Sequence, residues 1–165
     1  MNKTGGIIVE GAEQVGKSTF CRKLADHLGI PLVHMHKEYG FIDGKFDYFK
    51  SYFFDINATD EPMIFDRFYV SELAYGELFN RGNITSTIQD KIEARLRDLG
   101  YLVILLTPPD RKWVDREEMI TSEQNKLIVK YFDKAFEGLS VTKMKLNAFE
   151  PESVDRAIEM YRRMP

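Results

Sequence analysis

The chain has 165 residues, of which 44% are hydrophobic and 30% charged, the make-up of one globular domain that buries roughly 70% of its unfolded surface, with no room for a second sizeable one. Lys+Arg 23 against Asp+Glu 26 gives a net charge of −3, which argues against a general nucleic-acid or membrane-binding surface while leaving a local basic groove open. Cys21 is the only cysteine, so an intrachain disulfide is excluded and a reducing, cytoplasmic setting is expected.

The N-terminal MNKTGGIIVEG is broken by Glu10 and reads as no signal peptide, and no apolar run approaches the ~18 residues of a membrane span. Gly5–Glu10 reads as a short buried strand, Gly11–Ser18 as a loop, and Lys17–Leu28 as a helix with Phe20, Leu24 and Leu28 on one face, stopped by Gly29. Pro31–His34 is the second strand. Gly44–Ala58 is expected to be helical, with Phe46, Phe49, Phe53 and Ile56 in phase.

Pro62–Asp66 is the third strand and Phe68–Phe79 the helix after it. Thr85 is placed to cap a helix carrying Ile88, Ile92, Leu96 and Leu99, which Gly100 ends. Tyr101–Leu106 (YLVILL) is the strongest strand, stopped by Thr107-Pro108-Pro109. Thr121 and Gln124 form a capping box for a helix running to Phe136. Val141–Leu146 is the last strand, and Pro151–Met164 the last helix. Strands alternating with helices call for a parallel sheet covered on both faces, with right-handed crossovers.

Gly11-Ala-Glu-Gln-Val-Gly16-Lys17-Ser18 fits G-x-x-x-x-G-K-[ST] in full, between a strand and a helix. Glycines let successive backbone N–H groups curl around one anion, and the following helix adds its positive end. Donor-phosphate contacts are therefore assigned to Gly11, Gln14, Val15, Gly16, Lys17, Ser18 and Thr19. Lys17 is assigned to the β- and γ-phosphates and the Ser18 hydroxyl to Mg²⁺. As an exposed loop residue, Lys17 is expected to matter for turnover and little for stability.

Asp66 closes the strand PMIFD, at the sheet edge where open α/β folds bind ligands. A carboxylate there suits Mg²⁺ or a proton from an attacking group. Arg67 follows, with a fork that matches two phosphate oxygens.

IIVEGAEQVGKSTF followed by DRFYVSELAYG resembles the thymidylate kinase branch of P-loop nucleoside and nucleotide kinases. Asp66, Arg67, Phe68, Ser71, Ala74 and Tyr75 match that family's second motif. The resemblance implies a three-layer α/β P-loop fold, with a parallel five-stranded sheet in the order 2-3-1-4-5 between helices. It implies one domain over residues 1–165, with a lid at about 107–120. The implied reaction moves the γ-phosphoryl of ATP to a deoxynucleoside monophosphate with Mg²⁺. Glu13 would approach the acceptor's sugar, Asp66 would serve the metal and the acceptor end, and Arg67 would grip the acceptor phosphate. Ser71 belongs to the same motif, and Tyr75 would pack under the deoxyribose. A homodimer is also a family expectation.

Gln14 is not an arginine, so the catalytic arginine is expected in the lid, where Arg111 and Arg116 rank above Lys112. His36-Lys37-Glu38 replaces the family's Arg-Glu-Pro, and Lys37 stands in as a point charge. Phe41, Tyr48 and Tyr52 fall off the aromatic stripe and are the acceptor-base candidates. His34 and His36 lie towards the acceptor side and are read as polar or structural residues. Cys21 is read as a small buried packing residue. Three alternatives stand beside this reading: a deoxynucleoside kinase with Glu38 or Asp66 as base, a kinase acting on a base in DNA, and a non-catalytic nucleotide-binding module.

Overall fold

In the computed structural model the described residues are 5–34, 41–42, 45–46, 61–80, 84–109 and 121–165. In chain order the elements are β1 (Ile7–Glu10), α1 (Lys17–Leu28), β2 (Leu32–His34), β3 (Phe41–Ile42), β4 (Lys45–Phe46), β5 (Ile64–Asp66), α2 (Tyr69–Leu78), α3 (Ser86–Leu99), β6 (Leu102–Leu106), α4 (Ser122–Glu137), β7 (Thr142–Leu146) and α5 (Ser153–Arg163).

Five of the strands form one sheet in the order β2-β5-β1-β6-β7, parallel at every pairing. Numbered among themselves they run 2-3-1-4-5, the order that the family resemblance implies. Every residue of β1 and β6 is buried. Successive side chains of a strand point to opposite faces, so both faces of the sheet centre are covered. α1 packs on β1, β2 and β5 and against α5, and α2 packs against α4. The core runs from Ile7, Ile8 and Val9 through Leu102–Leu106 to Phe20, Leu24, Phe65, Ile92, Leu96 and Phe132.

The punctuation read from sequence is present. Thr85 Oγ1 accepts from Ile88 N at 3.2 Å. Thr121 and Gln124 make both bonds of the capping box. α1 ends at Gly29 and α3 at Gly100, both left-handed. Two buried polar ties hold the frame. Tyr161 Oη donates to Gly5 O at 2.8 Å, which fixes α5 to the start of β1. Glu93 accepts from Tyr69 Oη at 3.0 Å and from Ser140 N at 3.2 Å, joining α2, α3 and the approach to β7.

One element differs. Lys45–Phe46 is not the first turn of a helix over Gly44–Ala58. It is a strand, paired antiparallel with β3, with Phe46 opposite Phe41. The sequence between the two strands is Asp43-Gly44, a dipeptide that two-residue hairpin connections favour, and at Lys45–Phe46 this local signal prevails over the helical period. Gly44 and residues 47–58 of that expected helix lie outside the described residues.

Candidate active site

Parallel pairing brings the carboxyl ends of β1, β2 and β5 together: Val9 stands opposite Asp66, and Asp66 opposite His34. Between β1 and α1 lies the phosphate loop. Gly16, at φ 79°, is the N-cap of α1 and makes no side-chain cap bond, and the first turn carries no acidic residue. The first-turn N–H groups of a helix lack intrahelical partners, so this end is suited to an anion. Gln14 is also left-handed, at φ 60°. Val15 is buried and anchors the loop in the core, while Ser18 and Thr19 are exposed on the first turn of α1.

Lys17 is not an exposed loop residue. It is only 9% exposed, because its Nζ lies 2.6 Å from Asp66 Oδ1. Asp66 is 4% exposed. Its other oxygen, Oδ2, is 2.9 Å from Nδ1 of the half-exposed His34. The carboxylate accepts there, so His34 presents its Nδ1–H to it. The structure thus supplies the partner that the sequence did not reveal for His34.

Arg67 sits between these groups and α2 with φ 73°. Its backbone N–H donates to Val9 O at 2.9 Å. Its Nη1 donates to Gly11 O at 3.2 Å and to Ser71 Oγ at 3.4 Å. The guanidinium carbon lies 5.5 Å from the centre of the Tyr75 ring, a cation–π placement. Tyr75 is in turn stacked on Phe79 and edge-on to Phe132. Burial raises the Tyr75 phenol pKa, Arg67 opposes the shift and Glu13 adds to it. The four residues Gly11, Arg67, Ser71 and Tyr75 therefore form one linked group, with Glu13 close enough to act on it electrostatically.

Glu10 is fully buried at the end of β1. Its Oε1 accepts from Phe68 N and from Ser71 Oγ, each at 2.8 Å, and its Oε2 accepts from Ser71 N at 2.7 Å. Burial raises its pKa, and these hydrogen bonds and Arg67 pull the other way. Sequence reasoning did not select Glu10; the available signal was a carboxylate closing an otherwise apolar strand. Phe149 was missed as well. It follows β7 and is 48% exposed, and a β-carbon on Gly16 would sit 3.1 Å from its Cζ. An exposed aromatic just past the carboxyl end of a sheet strand was the signal there.

Lys37, Tyr48, Tyr52, Arg111 and Arg116, with His36, Glu38 and Lys112, lie outside the described residues. For Phe41 the backbone is described, in β3, and the side chain is not. Cys21 is fully buried, as the sequence suggests.

The YorR protein of Bacillus subtilis superposes on this chain with TM-score 0.76 at 20% identity, over 94% of this chain and 95% of that one. Deoxyadenosine kinase from M. mycoides superposes with TM-score 0.60 at 15% identity, over 95% and 98%. The fold is that of the P-loop kinases. Polyphosphate kinase 2 from Arthrobacter aurescens also shares it, with TM-score 0.67 at 12% identity, over all of this chain and 71% of the other. No family model matches the sequence, and no curated protein sequence matches it significantly. These likenesses fix the P-loop kinase architecture. No helix among the described residues is long and apolar enough to cross a membrane.

Proposed function

We propose that this protein transfers the γ-phosphoryl of ATP to the 5′-phosphate of a deoxynucleoside monophosphate. The observation that carries the proposal is Arg67. Its guanidinium is held by Gly11 O, Ser71 Oγ and the Tyr75 ring, beside a complete phosphate loop and at the sheet edge where α/β folds bind ligands. A cation pre-set there meets an anionic acceptor. The neighbours' ligands fit a nucleotide site: the YorR crystal holds phosphorylated GDP, and a deoxyadenosine kinase crystal holds the products dCMP and dCDP.

In this reading the loop N–H groups take the donor phosphates, and Lys17 exchanges Asp66 for the β- and γ-oxygens. Phe149, over Gly16, offers a stacking face to the donor base. Glu13 approaches the acceptor's sugar and Tyr75 packs beneath it, favouring deoxyribose. Arg111 or Arg116 meets the charge that spreads over the transferring phosphoryl. The Ser18 hydroxyl and the Asp66 carboxylate are both oxygen donors, a set that fits Mg²⁺ with phosphate and water completing its shell. Magnesium, when bound, would neutralise charge developing on the β- and γ-phosphates. Positioning and electrostatics supply the catalysis, without a covalent intermediate.

One observation favours a second reading, a deoxynucleoside acceptor. The His34–Asp66 contact at 2.9 Å is an oriented imidazole beside a carboxylate, a pair suited to taking the proton of an attacking hydroxyl. Steady-state kinetics of Arg67→Ala separates the two. With a monophosphate acceptor, loss of the charge-assisted contact removes about 2–3 kcal/mol of acceptor binding. That is a rise of roughly 30- to 150-fold in the acceptor constant with the ATP constant unchanged. With a nucleoside acceptor the loss falls on turnover instead. An Arg67→Ala variant with a normal acceptor constant overturns the monophosphate reading.

A further inference from the structure

We propose that Glu10 is a positioning residue that sets Arg67 for the acceptor phosphate, an inference that rests on the acceptor role given to Arg67 above. The argument starts with α2, which lacks a cap of its own. Its N-cap residue, Phe68, makes no side-chain cap bond. The missing acceptor comes from β1, 58 residues earlier. Glu10 takes Phe68 N on Oε1 and Ser71 N on Oε2. Its two oxygens meet three donors here, at the positive end of a helix, and these bonds offset part of the cost of full burial.

The consequence falls on Arg67. Left-handed backbone at a non-glycine residue persists only where the surroundings over-determine it. Arg67, at φ 73°, has a clamp on each side: its own N–H is held by Val9 O and the next N–H by Glu10. Both clamps are the last two residues of β1. Glu10 also reaches the side chain. Ser71 gives its hydroxyl proton to Glu10 Oε1, at 2.8 Å, which leaves its oxygen lone pairs facing Arg67 Nη1 at 3.4 Å. Glu10 therefore fixes the backbone from which the guanidinium projects and orients one of the acceptors that aim it. An arginine released from this frame retains its charge and loses its place, and binding that depends on a two-pronged contact depends on that place.

The test is a set of cycles. Glu10→Gln keeps the shape and one acceptor oxygen. Ser71→Ala keeps both backbone bonds to Glu10 and removes the one hydroxyl that joins Glu10 Oε1 to the guanidinium, a smaller change that reads the same link where Glu10→Gln fails to fold. Each is made in wild type and in Arg67→Ala, and steady-state constants are measured for ATP and for the deoxynucleoside monophosphate that wild type turns over fastest, with melting temperature as the check on folding. The expected result is a rise in the acceptor constant of about tenfold for Glu10→Gln and about threefold for Ser71→Ala, with the ATP constant unchanged. In the Arg67→Ala background neither substitution raises the acceptor constant further. Equal effects on both substrates, or effects that persist without Arg67, overturn the inference. A large effect of Arg67→Ala with none from Glu10→Gln or Ser71→Ala overturns it alone, whereas an unaffected Arg67→Ala variant overturns the acceptor reading and this inference with it.

Discussion

Lys17→Met is expected to weaken the fold as well as stop the reaction. Lys17 and Asp66 are 9% and 4% exposed and 2.6 Å apart. Removing one partner of a buried pair strands the other charge, at about 3–5 kcal/mol. His34 still reaches Asp66 Oδ2 and is half-exposed, so some compensation remains and the low end, ~3 kcal/mol, is the expected loss. The double variant Lys17→Met/Asp66→Asn strands no charge and should fall within about 1 kcal/mol of wild type. Equilibrium unfolding in urea, followed by circular dichroism, reads both. With a slope of about 2 kcal/mol per molar, the single variant moves the midpoint down by about 1.5 M and the double variant by about 0.5 M or less. A single variant within 1 kcal/mol of wild type, or a double variant less stable than the single, refutes the reasoning.

Gly16→Ala forces a side chain into left-handed backbone, at about 1–2 kcal/mol, and sets a β-carbon 3.1 Å and 3.3 Å from Phe149 ring atoms; a lowered melting temperature together with a raised ATP constant is expected, and an unchanged ATP constant counts against the donor-side placement. Cys21 is fully buried and burial pushes its thiol pKa up, with Asp66 adding to the shift, so a thiol reagent such as Ellman's should label it only on unfolding; rapid labelling of native protein contradicts this. Burial raises the phenols of Tyr69, Tyr75, Tyr101 and Tyr161, that of Tyr101 from 10.0 to about 12. Between those values the native state holds protons that the unfolded chain has lost, so stability falls as pH rises through the window; unfolding midpoints from pH 9 to 11.5 should decline, with phenolate absorbance appearing on unfolding, and constant midpoints refute it.

What the sequence reveals follows the reach of the interactions. The frame of α1, the Thr121 box and the stop at Gly100 are all local, set by periodicity and by residues within one turn. The strand order was available only through the resemblance that two short motifs carry, and the parallel registers agree with it. The hairpin β3–β4 was masked because Phe46, Phe49, Phe53 and Ile56 also satisfy a helical period, and the Asp43-Gly44 signal is only two residues long. In the site, the phosphate loop and the Asp66-Arg67 step are contiguous and could be read directly. Glu10 with Ser71, and His34 with Asp66, are 61 and 32 residues apart, so only the fold makes them partners. Lys17 belongs to both groups: its chemistry was visible in the motif, and its burial was not, because burial depends on Asp66 being brought 49 residues back to meet it.

Transfer of label from γ-labelled ATP, with Mg²⁺ present, to a matched set of deoxynucleosides and deoxynucleoside 5′-monophosphates tests the central claim most directly, since the products separate by charge. The account predicts labelled diphosphates from one or more monophosphates, no labelled monophosphates from the nucleosides, and no ATP consumption without an acceptor. An enzyme that labels nucleosides and ignores every monophosphate contradicts it.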